Sequence, residues 1–228
     1  MRLTLYQLEE ARRNPRRFGE QLAIAEEEGK KGRYNSNNFR TYITNAVRGY
    51  HANQPWPDLL EEFLRQCRTK LPHVHFAAQR TARYEETLKG YFTSYPSQGV
   101  VFIEMEKRFS LGIGRHVITG KVDRLDRRRR RGYRATDIQI NKAPWRRKLR
   151  WPIIQHALAE ELGGSSAEVE VGVHCFETGS PDYHIFDHVE IEAALAEAEE
   201  ICDKVVGYGG KLGINNLTAP IDTNRQHP

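Results

Sequence analysis

Three acidic residues in strand-like stretches are the groups in this chain best suited to chemistry: Glu106, Asp123 and Asp137. Each sits in a run where apolar and polar residues alternate. In "HVITGKVDRLD", Asp123 falls in phase with Thr119 and Lys121 and out of phase with Ile118 and Val122. In "GYRATDIQIN", Asp137 shares a phase with Gln139, opposite Thr136 and Ile138. Side chains alternate across a strand with period two. A hairpin of the two stretches therefore sets Asp123, Asp137 and Gln139 along one polar edge. Converging carboxylates repel and need a cation to stay ionised. Mg²⁺ or Mn²⁺ meets that need with oxygen ligands, so Asp123 and Asp137 are the candidate metal ligands, with Glu106 a third. A metal held there lowers the pKa of its water and stabilises charge on a phosphoryl group. The competing reading is plain strand acids facing solvent, with Asp123 and Asp126 paired to neighbouring arginines.

The elements that must position these groups follow from periodicity. Thr4 is suited to cap a first helix with Leu5, Leu8 and Ala11 on one side. "NPRRF" reads as a turn into a second helix over Gly19 to Glu28, and "EEGKKGRYNSNN" as a polar connection. Helices are expected over Asn38 to His51, Pro57 to Arg68 and His75 to Tyr95. From Gly99 the pattern changes to three strands, "VVFIEMEKRFSLGIG" and the two quoted above. A helix over Trp151 to Leu162 ends on Gly163-Gly164, "AEVEVGVHCFE" is a further strand, and "DYHIFDHVEI" a short strand or strand-to-helix junction. Ile191 to Val206 is an amphipathic helix, and 207–228 is expected as coil. The order implies a mixed α/β (α+β) class, a central sheet flanked by helices. A helical N-terminal layer spans 1–98 and the core 99–206, within one compact domain.

The 228 residues carry 35 Lys and Arg against 30 Asp and Glu, a net charge of +5. Distribution matters more than this sum. Arg127, Arg128, Arg129, Arg130 and Arg131 form an unbroken run at the turn between the second and third strands. Arg146, Arg147, Lys148 and Arg150 follow the third strand, interleaved with Trp145 and Trp151. Such side chains neutralise phosphates without reading sequence, so a nucleic acid is the expected partner, and neither run distinguishes DNA from RNA. Trp145 or Trp151 could stack on a base, or each could pack the start of the helix that follows. The histidines show no HExxH, and the glycine-rich "GYGGKLG" lacks the spacing of a phosphate loop. Cys67, Cys175 and Cys202 are far apart with no CxxC, which fits a reduced, cytoplasmic protein. The N-terminus has no apolar signal segment, and no run reaches membrane-span length.

In order, "GKVDRLD", "YRATDIQINKAP" and "WPIIQHALAEEL" resemble the PD-(D/E)XK nuclease superfamily. The similarity is to its RecB- and AddB-like nuclease domain and CRISPR-associated exonuclease relatives. Gly120, Val122 and Asp123 match the first motif, Asp137 the acid of the second, and Gln155 the helix glutamine. Pro15, Arg17 and Phe18 match the end of the family's opening helix. The resemblance implies a restriction-endonuclease-like fold and metal-dependent phosphodiester hydrolysis, in repair or defence against foreign DNA, within a larger protein complex. Gln155 would support the site or contact the DNA backbone. Asn14 stands where some relatives carry a cysteine, so no iron–sulfur cluster is expected, and Ala159 stands in place of the helix tyrosine. His51, with His75 a weaker choice, corresponds to the early-helix histidine. Gln139 replaces the catalytic lysine. Glutamine orients water but carries no charge, so either Lys121 or Lys142 would supply a relocated ammonium in a natural variant, or Gln139 is an engineered substitution that inactivates the site. The alternative is a degenerate nuclease fold that binds DNA as a scaffold subunit.

Overall fold

The computed structural model of the protein describes residues 1–28, 39–74 and 76–210. Seven α-helices lie among them: α1 (Leu5–Arg13), α2 (Pro15–Glu28), α3 (Phe39–His51), α4 (Trp56–Lys70), α5 (Ala77–Ser94), α6 (Arg150–Glu161) and α7 (His188–Gly210). Six strands form one mixed sheet: β1 (Arg2–Thr4), β2 (Val100–Ile113), β3 (His116–Arg128), β4 (Tyr133–Gln139), β5 (Val169–Cys175) and β6 (Ser180–His184). The mixed α/β class expected from the element order is the class observed. β3 is antiparallel to β4, β4 parallel to β5, and β5 antiparallel to β6, while β1 runs parallel to β3 and β2 also pairs with β3. No helix among the described residues is long and apolar enough to cross a membrane.

The chain divides into two compact units. The first comprises Met1–Gly32, Ser110–Gly120 and Val189–Pro228. Its α1 starts as expected: Thr4 Oγ1 accepts the Gln7 N–H at 3.2 Å, and Gln7 Oε1 accepts the Thr4 N–H at 2.8 Å. This reciprocal pair satisfies two amides that a helix start leaves open. Leu5, Leu8 and Ala11 are buried. α2 begins at Pro15 rather than Gly19, because Asn14 Oδ1 accepts the Arg17 N–H at 3.0 Å and proline suits a first helical turn. α7 continues to Gly210, through glycines expected to open a coil. The remainder of that expected coil, like His75 and most of the "EEGKKGRYNSNN" connection, lies outside the described residues.

The second unit comprises Arg33–Phe109 and Lys121–His188 and contains every candidate site residue. Its core joins Phe39, Ile43 and Val47 of α3, Leu60 and Phe63 of α4, and Leu88, Tyr91 and Phe92 of α5 to Ile138 and Phe176. α6 packs on β5. It ends where Gly163 turns left-handed at φ +67°, a conformation that favours glycine. β3 is buried without a break from Val122 to Asp126. The strand that alternation marked as having a polar side is thus covered on both sides, which is why its charged residues need partners.

Candidate active site

β3 and β4 bring Asp123 and Asp137 together. Their register pairs Arg124 with Thr136 and Leu125 with Ala135. One step further sets Asp123 against Asp137. Here the carboxylates enter the backbone bonding themselves. Asp123 Oδ2 accepts the Ile138 N–H at 2.7 Å, and Asp137 Oδ1 accepts the Asp123 N–H at 3.3 Å. Each acid is thereby fixed to the other's strand. Both are buried, at 5% and 4% exposure. Each also meets a guanidinium: Arg40 of α3 donates to Asp123 Oδ2 at 3.0 Å, and Arg150 of α6 donates to Asp137 Oδ2. Burial raises the Asp137 pKa above the usual carboxylate range, the Arg150 charge opposes that, and the Asp123 charge adds to it. Two desolvated like charges thus draw cations from two different helices.

The other expected residues divide into those near this pair and those spent elsewhere. Lys121 lies two residues before Asp123, and its Nζ donates to Glu106 Oε1 at 2.6 Å. Arg48 also contacts Glu106 at 2.8 Å, and the Lys121 hydrogen bond is the main cause holding the Glu106 carboxyl below its usual range. The structure therefore places Glu106 between two cations, Lys121 and Arg48, and shows no contact joining it to the aspartates. Among the described residues no cluster of three or more His, Cys, Asp or Glu is arranged to hold a metal. Gln139 is half-buried at the end of β4, and its carbonyl accepts the Phe176 N–H at 2.8 Å. Lys142 is exposed beyond it, its backbone N–H bonded to Glu177 at 2.7 Å.

Two expectations are corrected. Gln155 is fully buried, and its amide is spent on main chain: Nε2 donates to Ser166 O and Phe186 O at 2.9 Å each, and Oε1 accepts the Phe186 N–H at 2.8 Å. It joins α6 to two loops and has no surface to offer DNA. Trp145 is also buried, with Nε1 bonded to Asp182 at 2.8 Å and its ring edge-on to Trp151 at 5.0 Å. Neither indole is open to a base, so the packing alternative holds for both. The arginine runs, which flank the acids in sequence, lie apart in the fold. Arg150 reaches the acid pair, while Arg146 pairs with Asp182, Lys148 caps a turn onto Trp145 O, and Arg147 is exposed. Arg127 to Arg131 sit at the far end of the hairpin, where Arg128 N–H bonds Gly132 O at 2.9 Å.

The structure also adds residues that sequence did not single out. Arg40 lies 83 positions from Asp123, and nothing in a helix pattern marks it. On the opposite side of β3, Arg124 and Asp126 form a fully buried ion pair at 2.9 Å. Tyr95 Oη donates to Asp126 Oδ1 at 2.8 Å, and Arg124 also reaches the hydroxyls of Tyr91, Thr136 and Tyr183. The alternative that Asp126 pairs with a nearby arginine is what the structure shows. His51 Nε2 lies 2.7 Å from Tyr91 Oη, at this network. Burial, reinforced by the Arg124 charge, lowers both His51 and His174 to about 3.

No family model matches the chain, and no curated protein does. Among solved structures, a protein described as a candidate exonuclease from Eubacterium rectale aligns over 82% of this chain and 73% of its own. The TM-score is 0.47 and the identity 9%. The protein SSO0001 aligns over 81% of this chain and 84% of its own, with a TM-score of 0.33 and 11% identity. Such identities transfer no residue roles, and the site rests on its own geometry.

Proposed function

We propose that the chain is a divalent-metal-dependent nuclease of the PD-(D/E)XK type, hydrolysing DNA phosphodiesters at Asp123 and Asp137. The observation that carries this reading is the opposed pair of buried carboxylates, each bonded to the other's strand and each drawing a cation. Mg²⁺ suits one or two carboxylates completed by water and phosphate oxygens, so this donor set fits Mg²⁺ or Mn²⁺. Asp123 and Asp137 would hold the ion, which would supply an acidified water and charge stabilisation at the phosphoryl group. Glu106, the further candidate ligand, would first have to be released from Lys121 and Arg48. Gln139 follows Asp137 by two residues and would orient the attacking water through its amide. Lys121, freed by the same rearrangement, would supply the ammonium that Gln139 lacks, with Lys142 the more remote choice. Arg40 and Arg150 would pass from carboxylate to phosphate oxygens as the strand arrives.

One observation favours a second reading. Both aspartates already have a guanidinium partner, and no lysine stands at position 139, as expected of a degenerate fold that binds DNA as part of a larger complex. Cleavage separates the two readings. Single- and double-stranded DNA should be cut in Mg²⁺ or Mn²⁺ by this chain, and faster by Gln139→Lys. If neither form cuts any substrate, the enzyme reading fails. DNA binding unchanged by Asp123→Ala would then favour the scaffold.

A further inference from the structure

The five-arginine turn belongs to a groove of about 560 Å³, lined by Arg127 to Arg131, Val101, Tyr133, Gly163 and Glu168. Arg131 contacts Glu168 at 2.5 Å, while Arg127, Arg128, Arg129 and Arg130 have no carboxylate partner among the described residues. The end of α6 also meets this groove, and a helix C-terminus carries about half a negative charge. Together with Glu168, that leaves roughly three to four positive charges uncompensated. Gly132 sits at φ +83°, and a Cβ there would fall 1.9 Å from Glu168 O, so the turn is pressed onto the loop after α6. The groove therefore persists without a ligand and favours a multivalent anion.

Its place matters as much as its charge. Arg128 is five residues along β3 from Asp123, about 16 Å at ~3.3 Å per residue. α6 gives a second ruler, because Arg150 contacts Asp137 and Leu162 lines the groove. Twelve residues of helix span about 18 Å. Both measures put the groove at the opposite end of the hairpin from the acid pair. Stacked nucleotides advance ~3.4 Å each along a strand, so the gap corresponds to about five of them.

We infer that the arginine groove is a phosphate-binding exosite that grips a nucleic-acid strand about five nucleotides from Asp123 and Asp137. The choice of a nucleic acid as its occupant rests on the nuclease reading; the anion site itself does not. Strands too short to bridge the gap would reach the acids without the grip, so cleavage would rise steeply once a substrate exceeds about five nucleotides.

The test uses the full chain and oligo-dA, whose bases stack along the single strand, of two to twelve nucleotides. Binding is read by fluorescence anisotropy in EDTA, and cleavage separately in Mn²⁺. Arg128→Ala, Arg129→Ala and Arg130→Ala are combined in one variant, and Arg65→Ala, Arg68→Ala and Lys70→Ala in a control. In EDTA the groove variant should bind the twelve-mer at least tenfold more weakly than wild type and control. Its slope of log affinity against log salt should fall by about 2, at ~0.7 per single-strand phosphate. In Mn²⁺ the wild type should cut the twelve-mer at least tenfold faster than a trimer, and the groove variant should lose that advantage. Twelve-mer binding unchanged in the groove variant, or poly-glutamate of equal charge binding as tightly, would overturn the exosite. Weakened binding without any cleavage would leave the exosite standing and sink the nuclease reading.

Discussion

The two sides of β3 hold buried charges in opposite ways. On one side Arg124 and Asp126 answer each other at 2.9 Å, and the hydroxyls of Tyr91 and Tyr95 complete the network. On the other, Asp123 and Asp137 carry the same sign and borrow Arg40 and Arg150 from separate helices. The first arrangement is closed and leaves nothing for a ligand. The second is held together by groups whose other partners could be a metal or a phosphate. Burial alone does not mark a functional acid, since Asp126 is as buried as either aspartate of the pair. What marks it is a charge that its own strands do not neutralise.

That contrast can be broken at several points. The largest effect is expected on the closed side. Arg124→Met leaves Asp126 buried and unpaired, which costs about 3–5 kcal/mol. Chemical denaturation should show that loss, and a loss below 1 kcal/mol would mean that the network is not structurally closed. Next comes Gln155→Leu, which strands the Phe186 N–H and two carbonyls. Ser166 is half-buried and its carbonyl can turn to water, so at ~1.5 kcal/mol for each of the two buried Phe186 groups left unsatisfied a loss of about 3 kcal/mol is expected. Retention of wild-type stability would contradict its role as a joint.

The histidines give a pH signature of the closed side. His51 and His174 remain neutral in the fold down to about 3. The unfolded chain binds those protons below about 6.5. More protons are then bound unfolded than folded, so stability falls as pH drops from 6.5 toward 3. The slope is at most ~1.4 kcal/mol per pH unit for each histidine. His174→Phe should flatten the acid limb of the stability curve, and an unchanged limb would refute the assignment. The smallest effect belongs to the open side. Asp137 has a raised pKa, so its folded form binds a proton more readily, and its ionisation costs stability as pH rises through the raised value. Asp137→Asn should therefore leave stability at pH 7 within about 1 kcal/mol of wild type, or raise it, while abolishing metal binding. A loss of several kcal/mol would mean that the pair is a structural link instead.

Much of this was legible in the sequence, for local reasons. The Thr4 cap, the apolar stripe of α3 and the shared phase of Asp137 with Gln139 each depend on neighbours a few residues away. What could not be read depends on distant ones. The phase grouped Asp123 with a polar edge but could not show its burial, or that Arg40 would reach it and Arg150 its neighbour Asp137. Trp145 stood among arginines and looked available, yet Asp182 buries it from 37 positions away. Gln155 was matched to a motif position, but its three bonds to Ser166 and Phe186 exist only in the fold. β1 is three residues long, too short to carry a period. The glycines at the end of α7 signal coil locally, and the helix overrides them.

The central claim is that Asp123 and Asp137 share one divalent ion. The most direct measurement is Mn²⁺ binding by electron paramagnetic resonance on the full chain, compared with Asp123→Asn and Asp137→Asn. One tightly bound Mn²⁺ per chain is expected, lost in either variant and weakening as the pH falls through the raised range of Asp137. Equal Mn²⁺ binding by all three proteins, or none by the wild type, would contradict the account.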